Sequence, residues 1–455
     1  MCPHAAGAER TDGMELPESI KKVLEPLENA GYESYVVGGT LRDLLLSRAV
    51  TSACDIMTAA QPEQTAELLR GRGLKPEISD DGCVTVFTGA NGEKVNINRL
   101  PHDDDGSVKK IDEYLAQCDF TINAVAYSTA TGIIDPFGGL NDISAGVIRT
   151  VLDARQSFAE HPLWMVRMAR YRAQLSFGID PQTMEAALQN KDLIKSLPPA
   201  ELRDELFLLL CGDSAKRALL DCREIIFEII PELRACDGFE QHNPNHSYDV
   251  YRHICETVGA CRRNLVLRLA ALLHDVAKPR CLKMRDDGRG TFPGHMELGE
   301  TMAHEILTRL QCPTKMVSSV CSLVLYHDKP YLSTPAGARR WLSVLGRKNT
   351  LLLAELKRAD CIAHSRKYHN RLARVGSFRH EINEALRRGD CYSLGTLRIN
   401  SRILCDNLGV QQGRESGRIL HRLLDEVIEG NVPNEQRELL ALAEKIKSEQ
   451  KKKED

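Results

Sequence analysis

Six histidine and aspartate side chains in the second half of the chain have the types and the order of a divalent metal site. Neutral imidazoles and carboxylates are the ligands that borderline and hard divalent metals prefer. A lysine, Lys278, follows about one helical turn after the adjacent His-Asp pair and could bind a phosphate group. The pattern predicts a metal-assisted phosphohydrolase site with Asp275 and Lys278 as catalytic residues. The six predicted ligands are His253, His274, Asp275, His295, His327 and Asp360.

Helices must position most of these side chains. Residues 250–253 lie on a predicted helix, and residues 265–278 are predicted to form one apolar, buried helix that carries the His-Asp pair. A buried His-Asp pair costs free energy unless it is paired or bound to a metal. Any single histidine is more often a core or surface residue than a ligand. His242 and His246, in the connector at 238–250, are therefore assigned surface or capping roles.

A second group of motifs lies in the first third of the chain. Residues 36–43, VVGGTLRD, predict a strand that leads through Gly38 and Gly39 into a helix. Two glycines let the backbone approach a ligand closely, and a helix N-terminus favours a phosphate. A Gly-Gly turn alone is weak evidence, since a tight structural turn explains it equally well. The motifs that follow are CDIMT at 54–58, DFTINA at 119–124, DPFGG at 135–139 and FAEHPL at 158–163.

This order of motifs resembles the class II tRNA nucleotidyltransferases, which comprise the CCA-adding enzymes and the related bacterial poly(A) polymerases. The glycine pattern at 408–420 is similar to the tail of that family, so the resemblance covers about residues 14–447. It implies an α+β, mostly α fold, in which a nucleotidyltransferase-type α/β head precedes helical parts. The expected division is a disordered leader at 1–13, a head at 14–150, a helical neck at 151–235, an HD domain at 236–370 and a helical tail at 371–455.

The resemblance also implies which head and neck residues would bind a nucleotide. Asp55 is the remaining transferase aspartate, and CTP or ATP with Mg²⁺ would be the ligand if transfer survives. The arginines of residues 167–172 could contact a phosphate backbone, although a solvated helix face is an equally good interpretation. The implied nucleotide-binding residues are Gly38, Gly39, Arg42, Asp119, Asn123, Glu160, Arg167 and Arg170.

Several positions depart from the pattern of the family. Its transfer chemistry uses two metal ions held by a D-x-D pair, and here the first aspartate is Ala53. The acidic position on a neighbouring strand is Asn96, and the paired arginines before DFTINA are Gln117 and Cys118. The base-reading E-D-x-x-R pattern keeps Glu160 but has His161 and Trp164 instead of its Asp and Arg, and neither can copy that donor–acceptor set. We therefore predict impaired or lost nucleotidyl transfer.

The order of the histidines and aspartates resembles the H…HD…H…H…D arrangement of binuclear HD-superfamily phosphohydrolases. The resemblance implies that His253, His274, Asp275 and Asp360 bind a first metal. His295 and His327 would complete a second site, with Asp275 as the bridge. This ligand set suits Mn, Fe, Ni, Co or Zn. HD domains also occur within intact CCA-adding enzymes, so the signature does not by itself indicate a new function.

Three functions remain open from the sequence. The first is an RNA-binding member of this family with a metal-dependent phosphohydrolase site. The second is a working CCA-adding or poly(A) polymerase-type transferase, and the third is a non-catalytic tRNA-binding protein. The expected partners are tRNA or another RNA 3′ end and nucleotides, with no membrane; the oligomeric state stays undetermined. A formal net charge of −3 does not favour general adhesion to nucleic acid, and 15 scattered cysteines predict reduced thiols in the cytoplasm.

Overall fold

The computed structural model of the chain describes residues 15–48, 53–89, 92–103 and 110–454, with side chains up to residue 449. The chain divides into two compact units. The first contains residues up to 201 together with 222–229, and the second contains 202–221 together with the residues from 230 onward. The predicted leader at 1–13 lies outside the described residues. The finer division into five parts stays a prediction.

Within its described residues, the first unit contains a mixed seven-stranded sheet with the order β3-β4-β5-β2-β1-β6-β7. Strands β2 and β5 pair in parallel, and the other neighbours in this sheet pair antiparallel. The strands are Ser34–Val37 (β1), Cys54–Thr58 (β2), Glu77–Ile78 (β3), Val84–Thr88 (β4), Glu93–Arg99 (β5), Ala126–Ser128 (β6) and Gly132–Ile134 (β7). Two short pairs lie elsewhere, Val147–Ile148 (β8) with Gly178–Ile179 (β9) and Lys283–Met284 (β10) with Gly290–Thr291 (β11).

Alternating apolar residues explain these strands. In β5, Val95 and Ile97 are buried while the residues between and beside them are more exposed, as a half-buried strand requires. Val37, Met57 and Ala126 face one cluster with Leu115, so three central strands share one core. Three β-rich runs of the sequence, at 34–39, 83–89 and 93–99, predict strands, and each contains one. The first run is longer than its strand, because β1 ends at Val37 and Gly38 begins α2.

Helices make up most of the remaining structure, which confirms the predicted α+β, mostly α class. In the second unit, separate apolar clusters lie around Phe378 and around Leu423. The helices are Glu18–Asn29 (α1), Gly38–Leu45 (α2), Pro62–Gly71 (α3), Ile111–Ala116 (α4), Gly139–Ala145 (α5), Ala154–Glu160 (α6), Leu163–Leu175 (α7), Pro181–Asn190 (α8), Pro199–Leu210 (α9), Ala215–Asp221 (α10), Arg223–Ile229 (α11), Val250–Ala260 (α12), Leu265–Leu273 (α13), Lys278–Cys281 (α14), His295–Arg309 (α15), Thr314–Tyr326 (α16), Pro335–Ala363 (α17), Leu372–Arg388 (α18), Ser401–Leu408 (α19), Arg414–Glu429 (α20) and Gln436–Glu454 (α21).

One predicted helix is shorter than expected. The sequence predicts a continuous helix over 265–278, but α13 ends at Leu273 and a turn over 274–277 precedes α14. Pro279 has no backbone N–H to donate to the carbonyl of Asp275, so a regular helix cannot continue there. The Lys278 N–H donates to that carbonyl at 3.0 Å, which closes a tighter turn.

Among the described residues, the cysteines form no disulfide bonds, which agrees with the predicted thiols. None of the described helices combines the length and the apolar character that a membrane span requires.

Candidate functional site: a histidine–aspartate cluster and the pocket around Asp55

The structure brings the six predicted metal ligands of the second unit together. His253 Nε2 lies 3.0 Å from Asp360 Oδ1 and 3.4 Å from Asp275 Oδ2. His274 Nε2 lies 3.2 Å from Asp275 Oδ2 and 3.7 Å from Asp360 Oδ1. Two imidazole nitrogens and two carboxylate oxygens therefore face one point, as predicted for the first metal.

The other carboxylate oxygen of Asp275 faces the remaining two histidines. His327 Nε2 lies 3.5 Å and His295 Nε2 lies 4.0 Å from Asp275 Oδ1. The two imidazole nitrogens are 3.3 Å apart. Asp275 thus lies between the two groups with one oxygen toward each, which is the arrangement that a bridging carboxylate needs.

Capped helices hold these side chains. Asp249 accepts a hydrogen bond from the Arg252 N–H and fixes the start of α12, which presents His253 one turn later. Asn264 caps α13 in the same way, and Thr334 caps α17, which carries Asp360 near its far end. His295 is the first residue of α15, and His327 follows the last residue of α16. Five separate helices therefore contribute to one cluster.

The same kind of hydrogen bond, from Nδ1 to a backbone carbonyl, orients three of the imidazoles. The Nδ1 atoms of His274, His295 and His327 each lie 2.7 Å from a backbone carbonyl oxygen three residues earlier. A carbonyl only accepts, so Nδ1 carries a hydrogen and Nε2 is the nitrogen that can bind a metal once it is unprotonated. Metal-binding histidines are usually oriented in this way by a partner of the other nitrogen. The local backbone has thus already selected the tautomer that binds a metal through Nε2.

Asp275 is the residue that most needs a cation. It is 1% exposed, and neither carboxylate oxygen accepts a hydrogen bond of normal geometry from the described residues. Lys278 Nζ lies 2.6 Å from Oδ2 and also donates to Gln241 Oε1 at 2.9 Å. A buried carboxylate without hydrogen bonds is costly unless a cation compensates its charge. Lys278 lies beside Oδ2, whereas Oδ1 faces the imidazoles of His295 and His327.

The charges of the cluster shift its pKa values. Burial opposes ionisation of Asp275, but His274 and Lys278 hold the pKa of this carboxyl well below its usual range. Burial lowers the pKa of His253 to about 4. Burial acts the same way on His274, yet the Asp275 and Asp360 carboxylates raise its pKa to about 10. A metal that binds His274 must therefore displace a proton.

Sequence reasoning missed several residues around this cluster. His246, assigned a surface or capping role, instead packs against His364 with a ring distance of 4.3 Å. His364 directly follows α17 and lies four residues after Asp360, which is a spacing that could have identified it. Lys357 is buried and donates to the backbone carbonyl of His327 at 2.6 Å, so it holds the backbone of that histidine in place. Burial lowers the pKa of Lys357 to about 8.

The first unit places the remaining transferase aspartate beside one of the substituted positions. Asp55 on β2 pairs in register with Asn96 on β5, and the Asn96 amide donates to Asp55 Oδ1 at 3.2 Å. Ala53 lies two residues before Asp55, a spacing that puts both on one face of an extended chain. Burial raises the pKa of Asp55. Where the family pattern has three carboxylates, this pocket has one carboxylate that accepts a hydrogen bond from an amide.

The retained DFTINA motif is part of a buried hydrogen-bond network. Asn123 accepts from Arg42 at 2.7 Å and donates to Asp119 at 2.8 Å and to the Tyr171 hydroxyl at 3.0 Å. Arg42 also contacts the Asp43 carboxylate, with its Nη2 at 2.9 Å from Oδ1. Three of the residues predicted to bind a nucleotide, Arg42, Asp119 and Asn123, are therefore bound to one another or to core neighbours.

The neck residues divide into exposed and buried ones. Arg167 lies 3.8 Å from Asp119 and is 37% exposed, and Arg170 lies over the Tyr171 ring at 4.0 Å. Arg172 is buried at 9% exposure, which makes the solvated-face interpretation wrong for this residue. Glu160, at the exposed end of α6, accepts from Gln156 at 2.9 Å. His161 and Trp164 stack with ring centroids 4.5 Å apart.

The glycines of the motifs have separate structural roles. Gly38 has a φ of 65° and begins α2, as the predicted strand-to-helix turn requires. A Cβ on Gly139 of DPFGG would lie 2.2 Å from the Thr121 carbonyl oxygen, so no larger residue fits there without moving the backbone. A Cβ on Gly39 would lie 3.3 Å from Arg42, a close but less severe contact. Gly139 is required by the fold independently of any ligand.

Comparisons with known proteins agree with this arrangement. Residues 34–149 match the poly(A) polymerase head domain, 176–236 the probable RNA and SrmB-binding site of polymerase A, and 245–364 the HD domain. An A-adding tRNA nucleotidyltransferase of Deinococcus radiodurans is 33% identical over 323 residues, or 68% of this chain and 71% of that protein. A CCA-adding enzyme of Ligilactobacillus salivarius is 24% identical over 445 residues, or 95% of this chain and 98% of that protein.

The solved structures agree on the fold. The crystal structure of the Bacillus stearothermophilus CCA-adding enzyme in complex with CTP aligns with a TM-score of 0.69 and 23% identity, over 96% of this chain and 98% of that one. A nucleotidyltransferase head combined with an HD domain thus defines the class. The chain belongs to the class II, CCA-adding-like tRNA nucleotidyltransferase family, which is a family of enzymes.

Proposed function

We propose that this protein binds tRNA or another RNA 3′ end, has impaired or lost nucleotidyl transfer, and hydrolyses phosphoesters at the cluster in its HD domain. The observation that carries the proposal is the environment of the Asp275 carboxylate. Its two oxygens are buried, lack hydrogen bonds of normal geometry, and face imidazole nitrogens on both sides. Such a carboxylate is stable when divalent ions compensate its charge.

The donor set fits two divalent ions. His253, His274, Asp275 and Asp360 would hold the first, and His295 and His327 would hold the second with Asp275 shared. Imidazole and carboxylate ligands suit Mn, Fe, Ni, Co or Zn. When bound, such a pair polarises phosphoryl oxygens and provides hydroxide near neutral pH.

The protein side chains have separate roles in this proposal. Lys278, held by Gln241 at 2.9 Å, would bind a phosphoryl oxygen of the substrate next to the metal ligands. The backbone carbonyls that accept from Nδ1 keep the imidazoles in position as a phosphate enters. Lys357 holds the His327 carbonyl and so limits movement at the end of α16. Candidate substrates are 2′,3′-cyclic phosphates, nucleotides and RNA 3′ ends.

The head supports RNA or nucleotide binding better than catalysis. Two close divalent ions repel each other, and Asp55 alone cannot compensate their charge where Ala53 and Asn96 replace carboxylates. The proposed nucleotide contacts are Gly38, Gly39, Glu160, Arg167 and Arg170, with Arg42, Asp119 and Asn123 supporting them from the core. The names of the relatives support tRNA and CTP as ligands. The cytoplasm is the proposed location.

A paired assay tests this proposal. The purified chain is screened with 2′,3′-cyclic AMP, p-nitrophenyl phosphate and its bis ester in Mn²⁺, Ni²⁺, Co²⁺ or Zn²⁺, beside a CCA-addition assay with Mg²⁺, CTP and ATP. We expect metal-dependent hydrolysis and little incorporation. Incorporation at the rate of an intact CCA-adding enzyme, without hydrolysis, would establish the transferase alternative. Retention of tRNA with neither reaction would leave the non-catalytic role.

A further inference from the structure

Two histidines next to the first predicted metal position, His246 and His364, form a third group of possible ligands together with His253. His246, His253 and His364 each have one ring nitrogen within 4.8 Å of the others. The His246 and His364 rings lie 4.3 Å apart, and the His253 ring lies 4.9 Å from His364 and 5.4 Å from His246. Neither His246 nor His364 belongs to the six residues assigned above.

His364 has the same orientation as the other ligands. Its Nδ1 lies 2.7 Å from the Asp360 carbonyl oxygen, one helical turn earlier, so Nδ1 carries the hydrogen and Nε2 keeps the lone pair. The Tyr368 ring stacks on His364 at 4.1 Å and holds the imidazole plane. The backbone therefore fixes on His364 the tautomer that it fixes on His274, His295 and His327.

His246 has a buried nitrogen that needs a partner. Its Nδ1 is inaccessible to solvent and forms no hydrogen bond with the described residues. The loop around it is held in place, since the Ser365 N–H donates to the Asn245 carbonyl at 2.9 Å. A buried polar atom without a hydrogen bond is destabilising, so its retention beside two further imidazoles indicates a ligand.

The neighbouring charge favours a cation over an anion at this place. Asp360 Oδ1 lies 3.4 Å from His364 Nδ1 and 3.0 Å from His253 Nε2, so the carboxylate borders both the first metal position and the third group. A phosphate would be repelled by that carboxylate, whereas a divalent ion would be attracted. Aromatic packing alone would explain the ring contacts but not the unpartnered nitrogen.

We propose that His246 and His364 hold a third divalent cation, and that the Asp360 carboxylate, which has enough lone pairs to bridge two ions, is shared with the first metal. This inference rests on the proposed metal-binding role of the HD domain. Imidazole-rich sites select borderline ions such as Zn²⁺, Co²⁺ or Ni²⁺ over Mg²⁺. The protein would then bind three ions per chain, of which one depends on residues outside the H…HD…H…H…D pattern.

Metal counting on the full chain tests this proposal. The protein is stripped with a chelator, dialysed against Zn²⁺ or Co²⁺ alone, and measured by inductively coupled plasma mass spectrometry. We expect three ions in the wild type, and two in His246→Gln and in His364→Gln measured separately, so that either variant suffices if the other does not fold. His304→Gln, at an exposed position on α15, is the matched control and should keep three.

The outcomes separate this inference from the proposed function. His295→Gln should lower the count by one if the second HD metal exists, and His246→Gln should lower it by one if the third cation exists. A wild type with two ions that His246→Gln leaves at two would overturn the third site and keep the proposed function. A wild-type count that His295→Gln and His274→Gln both leave unchanged would overturn the proposed function instead.

Discussion

The transferase pocket of the head and the cluster of the HD domain come from the same chain but have kept different kinds of residues. In the head, Asp119, Asn123 and Arg42 remain, and each is bound to a buried neighbour. In the HD domain the residues that remain are predicted ligands whose nitrogen or oxygen atoms face one another. The head thus keeps side chains that the fold needs, while the HD domain keeps side chains that a metal would need.

The contrast is clearest at two carboxylates. Asp55 accepts a hydrogen bond from Asn96, so a polar protein group partly replaces what a metal would supply. Asp275 accepts no hydrogen bond of normal geometry among the described residues, although Lys278 and His274 lie 2.6 and 3.2 Å from its Oδ2. We therefore expect that loss of metal binding is tolerated more easily at Asp55 than at Asp275. The predictions below test this difference.

The largest effect is expected from the metal ligands. His274→Ala combined with Asp275→Ala removes ligands of both predicted ions. We expect the bound metal to be lost. We also expect the rate of phosphoester hydrolysis to fall by about a thousandfold, because the metals contribute several kcal/mol of transition-state stabilisation. Metal analysis and hydrolysis rates measure both effects. Unchanged hydrolysis in the variant would mean that the activity comes from elsewhere, and His304→Ala is the control.

Restoring the head should give the next largest effect. Ala53→Asp, Asn96→Glu, His161→Asp and Trp164→Arg together return the carboxylates and the base-reading pair of the family pattern. We expect incorporation of CMP and AMP into tRNA to rise by about a hundredfold or more, because a restored metal site contributes several kcal/mol. If the wild type is already fast and the restored protein is no faster, the head has not degenerated.

Lys278 should matter for catalysis but not for metal binding. Lys278→Met removes a charged donor to the phosphoryl group, and a hydrogen bond to a charged group contributes about 1.5–3 kcal/mol. We expect kcat/KM for hydrolysis to fall by about tenfold to a hundredfold with the metal count unchanged. Lys283→Met, at an exposed position on β10, is the control. A variant that loses its metal instead would make Lys278 a positioning residue of the ligands.

Disrupting the buried hydrogen-bond network around Asn123 should lower the stability of the first unit without changing hydrolysis by the HD domain. Asn123→Ala removes partners of Arg42, Asp119 and Tyr171 within a buried network. We expect the free energy of unfolding of the first unit to fall by about 3 kcal/mol in urea, while hydrolysis by the HD domain persists. Asn407→Ala, at an exposed position, should change it by less than about 0.5 kcal/mol. An unchanged unfolding free energy in Asn123→Ala would contradict the structural role.

The smallest effect is expected from a change in the Asn96 side-chain amide, which lies beside Asp55. Asn96→Asp replaces the donated hydrogen bond with a like charge, which should cost about 1–2 kcal/mol at pH 8. Burial already raises the pKa of Asp55, and a second carboxylate raises it further. A pKa that is higher in the folded state means that stability is lost as the pH rises through it, so the cost should shrink at pH 5.

Thermal unfolding with and without Mg²⁺ measures this last effect. Mg²⁺ should restore part of the lost stability of Asn96→Asp, because a cation compensates the pair of carboxylates, and should leave the wild type unchanged. Equal Mg²⁺ responses in the two proteins would show that Asn96 does not control metal binding at Asp55.

Much of the architecture follows from short motifs. DFTINA and DPFGG predicted the family because their side chains and glycines fit one particular packing, as Gly139 against Thr121 illustrates. The family resemblance also implied that Asn96 lies on a strand next to Asp55, and β2 and β5 pair these two residues in register. The break of the helix at 274–277 was missed, although Pro279 is visible in the sequence.

The sequence by itself determined which carboxylates the head lacks and which six candidate ligands the HD domain contains. It also determined that the fold is mostly helical. Only the tertiary structure decided that His246 and His364 lie beside His253, that Arg172 is buried, and that Asp275 has no hydrogen-bond partner of normal geometry among the described residues. The physical reason is that residue types are fixed covalently, whereas burial and neighbours depend on segments far apart in the chain. His246 and His364 are separated by a long stretch of sequence, and packing alone brings their rings together.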